Sequence, residues 1–226
     1  MSASVALRAV LFDLDGTLLD TAPDMCRALN LLRAQEGMSP LPFEQLRLHV
    51  SHGAARLVAV GFGCAAGDRF ESLRVRFLDL YRGHLCESTC VFDGLDDVLI
   101  ELETRDIPWG VVTNKPAWLT DPLMDALGLS GRAGCVISGD TLPEKKPHPL
   151  PLLHAAGLLG VPPASCAYVG DAERDIQAGR AAGMRTLVAG FGYISADEDP
   201  AAWLADRVVS HPGELLDALG LQPLPA

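Results

Sequence analysis

The chain has 226 residues, 49% hydrophobic and 21% charged, enough for one large domain or a packed core with a smaller insert. Its formal net charge of −11 argues against nucleic acid as a partner, because phosphate backbones need a basic face. It leaves room for a small anionic substrate held by a few local donors and a metal, and no apolar run of about 18 residues predicts a membrane span.

Leu7 to Phe12 predict a first strand, buried because Val10 to Phe12 are apolar without alternation. It runs into Asp13-Leu14-Asp15-Gly16-Thr17. In extended chain, residues i and i+2 point the same way, so Asp13 and Asp15 emerge together at the strand's carboxyl end, where open α/β sheets hold ligands. Two such anions repel unless a cation lies between them, and Mg²⁺ is the economical choice. Gly16 permits a tight turn, and Thr17 offers a hydroxyl and an N–H to an anion. An Asp-rich turn would use the same residue types, so the pattern gains weight only from matching pieces downstream.

From Asp20 the pattern is helical. Asp20 or Thr21 can cap, and capping is the preferred role for Asp20 over bordering a site. Pro23 suits the first turn, Met25, Leu29 and Leu32 keep helical spacing, and Gly37 stops the helix. Phe43 to Val50 predict a second helix. Ser51-His52-Gly53-Ala54-Ala55-Arg56 form a Gly-centred turn into a third, through Val60. Phe70 to Leu85 predict a fourth, with Phe70, Leu73, Phe77 and Tyr81 on one stripe. Residues 20–90 therefore read as an all-helical insert, with no strand of its own and too long for a loop.

After Val91 helix and strand alternate. Helices are expected at Val98 to Arg105, Leu119 to Leu127, Pro149 to Leu159 and Asp171 to Ala182. Strands are expected at Trp109 to Thr113, Cys135 to Ser138, Cys166 to Val169, Arg185 to Ala189 and Arg207 to Val209. The fold class is α/β, a doubly wound parallel sheet with an inserted helical unit: 1–19 core, 20–90 insert, 91–226 core. The tail Leu221 to Ala226 is Pro-rich and expected to fray. The six cysteines have no C-x-x-C pair; even Cys86 and Cys90 lack a second pair at zinc spacing and read as packing thiols. Met1 to Val10 lack a secretory layout, so reduced thiols in the cytoplasm are expected.

Three later strand ends carry polar residues: Thr113-Asn114-Lys115, then Lys145-Lys146-Pro147-His148-Pro149 on the loop after the third strand, and Gly170-Asp171 with Asp175 four residues on. A parallel sheet brings such ends to one edge. Paired carboxylates, a hydroxyl and a lysine there suit phosphoryl transfer, with a nucleophile, a metal and clamps for the equatorial oxygens.

D-x-D-G-T (Asp13 to Thr17), T-N (Thr113, Asn114), K-P-x-P (Lys146 to Pro149) and G-D-x-x-x-D (Gly170 to Asp175), in this order, resemble the haloacid dehalogenase superfamily over nearly the whole chain. The insert resembles that superfamily's helical cap, and the second Asp of D-x-D is kept by its phosphatase branch. The resemblance implies that Asp13 is a nucleophile forming an aspartyl phosphate and Asp15 a general acid and base. It implies Mg²⁺ held by the Asp13 carboxylate, the Asp15 carbonyl and Asp171, with Asp175 in support. Thr113 and Lys146 would bind phosphoryl oxygens, helped by Asn114. Thr113 reads equally as a strand end, Lys145 as a solvated neighbour, Asp175 as a partner of its own helix's amino end, and His148, where many relatives carry Asp, as a surface or packing residue.

Trp109 to Pro116, the segment Gly190 to Asp206 and the cap turn give a finer likeness to the phosphoglycolate-phosphatase-like subgroup. Within it the chain is most similar to bacterial N-acetylmuramic acid 6-phosphate phosphatases of cell-wall recycling. Those relatives carry a second glycine where this chain has His52. The implied partner is a small phosphorylated metabolite, carboxylate-bearing in both candidates, with Arg56 as its cap partner or else an exposed helix arginine. A monomer or homodimer is expected. A phosphomutase on the same scaffold and a non-catalytic binding module are the competing readings.

Overall fold

The computed structural model describes residues 6–221. Six parallel strands make the core sheet: β1 (Ala9–Phe12), β4 (Trp109–Val112), β5 (Cys135–Ile137), β6 (Cys166–Gly170), β7 (Arg185–Ala189) and β8 (Arg207–Val209), in the order β5-β4-β1-β6-β7-β8. The chain starts in the middle, builds to one side through β4 and β5, then crosses to the other through β6. That reversal puts a switch point at β1, where carboxyl ends open a crevice. Phe12 lies in register with Val111 and Val169, so the three central strands end nearly level.

Helices α5 (Leu95–Thr104), α6 (Ala117–Ala126), α7 (Leu150–Leu158), α8 (Glu173–Ala181) and α9 (Leu215–Leu219) connect or follow these strands. They cover both faces of the sheet. Phe12, Val111 and Val169 pack with Leu99 and Leu123 on one side, and Leu11, Val112 and Tyr168 with Leu152 and Ala155 on the other. Double coverage explains why β1 is apolar at every position.

Between β1 and β4 stand α1 (Ala22–Gln35), α2 (Phe43–Arg47), α3 (Gly53–Phe62) and α4 (Asp68–Gly83). The predicted stripe Phe70, Leu73, Phe77 and Tyr81 is buried against Leu29, Leu32 and Leu57. At about 1.5–3 kcal/mol for each buried large side chain, this is a second apolar centre with its own stability. Leu119 and Tyr193 join it from outside the helical block.

The expectation of no strand near the insert is corrected at its ends. Strands β2 (Leu19–Asp20) and β3 (Cys90–Val91) pair antiparallel where the chain leaves and re-enters the core. Two residues are too short to show alternation, and their pairing needs both ends of the insert at once. Buried Asp24 closes the same junction by accepting N–H bonds from Ser88 and Thr89 and the Thr89 hydroxyl. All six cysteines are free thiols. Among the described residues no helix is long and apolar enough to cross a membrane. The Pro-rich tail beyond Leu221 lies outside the described residues.

Candidate active site

β1 delivers Asp13, and β6 delivers Asp171, with Asp175 on the first turn of α8. Oxygens of these three buried carboxylates lie within 4.8 Å of one another. Such a cluster requires positive charge. Lys146, from the loop after β5, provides one: its Nζ is 2.8 Å from Asp13 Oδ1 and 2.8 Å from Asp175 Oδ1, and its side chain is wholly buried. Tyr168 steadies the ammonium, accepting from it at 2.7 Å and donating to the Val112 carbonyl. Asn114 holds the Lys146 main chain in both directions, donating to its carbonyl and accepting its N–H.

One lysine does not satisfy three acids. Asp171 Oδ2 accepts from Ser51 Oγ and from the Tyr193 N–H at 3.0 Å, but Oδ1 is buried with no partner among the described residues. Burial pushes the Asp171 carboxyl up to about 7, and the charges of Asp13 and Asp175 add to it. The Thr17 hydroxyl is likewise buried and unpartnered. An acid-only oxygen cluster with an orphaned oxygen fits a hard divalent cation. Backbone packs tightly around Asp171. Gly16 has φ +83°, and a Cβ there would overlap the Asp171 carboxylate.

Asp15 stands beside this cluster. Its Oδ1 accepts from Lys115 Nζ at 2.8 Å and from the Thr21 hydroxyl at 2.7 Å. Both contacts fall on one oxygen, which leaves Oδ2 for proton exchange. Lys115 also donates to the Tyr81 hydroxyl of α4 at 3.1 Å. Burial lowers the proton affinity of this lysine, but Asp15 and Tyr81 outweigh it and hold the ammonium charged. Thr21, expected to cap α1, spends its hydroxyl on Asp15 instead. Asp20, also expected to cap, accepts from the Tyr193 hydroxyl at 2.6 Å.

A cleft of about 370 Å³ opens over these groups between the sheet edge and the helical block. Asp13, Asp15, Thr113, Asn114 and Lys145 line its floor, while Met25, Leu78, Tyr81 and Leu119 give it an apolar side. Thr113 is buried, its hydroxyl accepting the Lys115 N–H at 3.2 Å. Asp175 also accepts the Ala172 N–H at the start of α8, so the helix-end role and the Lys146 contact coexist. The turn from Ser51 through Ala55 reaches the cleft, while Arg56, next in chain, is exposed on α3 and is not among the lining residues. The α4 arginine Arg74 lines the cleft instead.

The sequence assigned no role to Arg174, Tyr168, Ser51, Tyr193 or Lys115. Arg174 Nη2 lies 4.0 Å from Asp13 Oδ2 and donates to the Ser51 carbonyl at 2.6 Å. Lys115, two residues past Thr113, continues the alternation that aims Thr113 at the strand's carboxyl edge, and Ser51 and Tyr193 lie in the cap turn and the Gly190 to Asp206 segment singled out above.

The family described as haloacid dehalogenase-like hydrolase matches residues 7–183. A phosphoglycolate phosphatase of Xylella fastidiosa is 45% identical over 94% of this chain and 93% of its own length. An N-acetylmuramic acid 6-phosphate phosphatase of Pseudomonas aeruginosa is 42% identical over 94% of this chain and 95% of its own. Among solved structures, a predicted phosphoglycolate phosphatase from Haemophilus somnus superposes with a TM-score of 0.83 at 25% identity, over 94% of this chain and 97% of that one.

Proposed function

This chain belongs to the haloacid dehalogenase-like hydrolases and is a phosphatase, and we propose that its substrate is a phosphorylated sugar acid of the N-acetylmuramic acid 6-phosphate type. The observation that carries the chemistry is Lys146 bridging Asp13 and Asp175 beside the unpartnered oxygen of Asp171. An incoming phosphate dianion meets a neutralised nucleophile there rather than bare negative charge.

Asp13 is the nucleophile. Its Oδ1 is pinned by Lys146 and by the Leu14 N–H at 2.7 Å, which fixes the carboxylate for in-line attack. A bond forms between an Asp13 oxygen and phosphorus while the ester P–O bond breaks. Asp15 gives its proton to the departing sugar alkoxide. It then takes one from the water that attacks the phosphoenzyme, releasing phosphate and regenerating the Asp13 carboxylate. Acid–base assistance of this kind is worth about 10²–10⁴ in rate. Lys146, Thr113 and Arg174 supply charge and hydrogen bonds to the phosphoryl oxygens, and Asn114 positions Lys146. A divalent cation, Mg²⁺ by the preference of small hard ions for carboxylate oxygen, would be held by Asp13, Asp171 and the Asp15 carbonyl, supported by Asp175, and would draw off phosphoryl charge. Residues 20–90 act as the cap that encloses the reaction.

The cleft volume supports the larger substrate. A space of about 370 Å³ with an apolar wall suits a sugar ring, whereas a two-carbon acid would leave most of it to water. Phosphoglycolate is the second reading, favoured by the name of the Xylella fastidiosa relative. A role in peptidoglycan recycling in the cytoplasm follows from the first.

A phosphate-release screen over N-acetylmuramic acid 6-phosphate, phosphoglycolate and common sugar phosphates tests both. The sugar acid is expected to give the highest kcat/KM, EDTA to abolish turnover, and Asp13→Asn to be inactive. Release without a bisphosphate primer excludes a mutase, and preference for phosphoglycolate would replace the first reading with the second.

A further inference from the structure

Resting on the phosphatase reading above, we propose that Arg74 selects the substrate by charge, gripping a second anionic group held away from the phosphoryl site. Helix α4 presents two stripes. Phe70, Leu73 and Phe77 turn into the apolar centre of the helical block, while Arg74, Leu78 and Tyr81, spaced i, i+4, i+7, line the cleft. Tyr81 is the deep end: it is fully buried, and its hydroxyl meets the Lys115 ammonium that holds Asp15. Leu78 is half-buried one turn out. Arg74, a further turn out, has a side chain 35% exposed. Seven residues of helix put it about 10 Å along the axis from Tyr81.

A cation at that remove is badly placed for a carboxylate one carbon from the ester oxygen. It is well placed for an acid on the far side of a phosphorylated sugar, with Met25, Leu78 and Leu119 meeting the ring between the two charged ends. The other buried cations are committed, Lys146 to Asp13 and Asp175, Lys115 to Asp15. Arg74 is held only by Glu71 on its own helix, at 3.0 Å from Nε and 2.8 Å from Nη2. That pair is exposed and weak, so a substrate carboxylate can join or displace it. Lys145, exposed and also lining the cleft, is the competing cation.

The test is steady-state kinetics of wild type, Arg74→Gln, Arg74→Lys, Glu71→Gln and Lys145→Gln. The paired substrates are N-acetylmuramic acid 6-phosphate and N-acetylglucosamine 6-phosphate, the same sugar without the lactyl acid. Arg74→Gln is expected to raise KM for the acid by about 10- to 100-fold, the worth of one charged hydrogen-bonded contact, with a much smaller change in kcat. The rise in KM for the neutral sugar should be at least about tenfold smaller. Arg74→Lys should recover part of the loss, and Glu71→Gln should lower KM for the acid by freeing the guanidinium. Equal effects on both sugars, no effect on either, or transfer of the selective loss to Lys145→Gln would each overturn the assignment. Turnover of p-nitrophenyl phosphate, lost in Asp13→Asn, reports separately on the phosphatase reading.

Discussion

Asp171 is the residue whose chemistry is most exposed to experiment, because the fold buries it, surrounds it with two other acids and leaves one of its oxygens without a partner. In metal-free protein its carboxyl is pushed up to about 7, first by burial and then by the charges of Asp13 and Asp175. The folded state then holds this proton more tightly than the unfolded chain does. Stability from Asp171 is therefore full below the unfolded pKa of about 4 and is lost as pH rises through about 7. A divalent cation takes the proton's place, so its benefit runs the other way. Added MgCl2 is expected to raise Tm little near about pH 5 and strongly near about pH 8, with the increase centred near the folded pKa. Thermal melts with MgCl2 or EDTA across that range check it, and Asp171→Asn should flatten the difference. The acids themselves were legible in the sequence, because strand ends in a parallel sheet share an edge. Their partners were less so: Tyr168 reaches the site from a strand interior that no local pattern marks, and Ser51 from a Gly-centred turn whose pattern does not say which side chain it delivers.

At the scale of elements, the segment after β7 shows how a stretch without recognisable chemistry becomes structural glue. Its Tyr193 gives a main-chain N–H to Asp171, lays its ring 4.8 Å from the Arg47 guanidinium, and puts its hydroxyl between Asp20 and the first N–H of α1. One residue thus joins the acidic edge of the sheet, the helical block and the junction between them. Tyr193→Phe keeps the ring but orphans the buried Ala22 N–H and a carboxylate oxygen of Asp20. The expected cost is about 1–3 kcal/mol, read as a lower urea midpoint with an unchanged m-value. The helices of the block were readable from their 3.6-residue period, down to the stripe on α4. Which of their other faces meets the sheet edge was not, since period fixes phase within a helix and not between bodies. That is why Arg56, in a conspicuous Gly-centred turn, drew the expectation of a cap partner while Arg74, on α4, lines the cleft.

For the molecule as a whole, the same contacts that complete the site also shut it. Ser51 on Asp171, Arg174 on the Ser51 carbonyl, Tyr81 on Lys115 and Arg82 over the Trp118 ring all run from the helical block to the sheet side. Only two short crossings, at β2 and β3, connect the bodies covalently. If substrate entry widens this cleft, these ties are the contacts that part while the crossings hold, a hinge motion. Hydrogen bonds contribute about 0.5–1.5 kcal/mol each, so a handful is expected to keep the closed form dominant with an open minority of roughly 0.1–10%. Removing two ties, about 1–3 kcal/mol together, should raise the open share roughly 5- to 150-fold. Ser51→Ala combined with Tyr81→Phe is expected to enlarge the radius of gyration in solution scattering without ligand and to compact again with Mg²⁺ and orthovanadate. Wild type should change little. Equal radii for both proteins under both conditions would mean that the ties do not set the closure. The readout is independent of turnover, which matters because Tyr81 also steadies the lysine that holds Asp15. Lys115 thus joins the Tyr81 tie to Asp15, so loosening that tie is expected to loosen the hold on Asp15 as well.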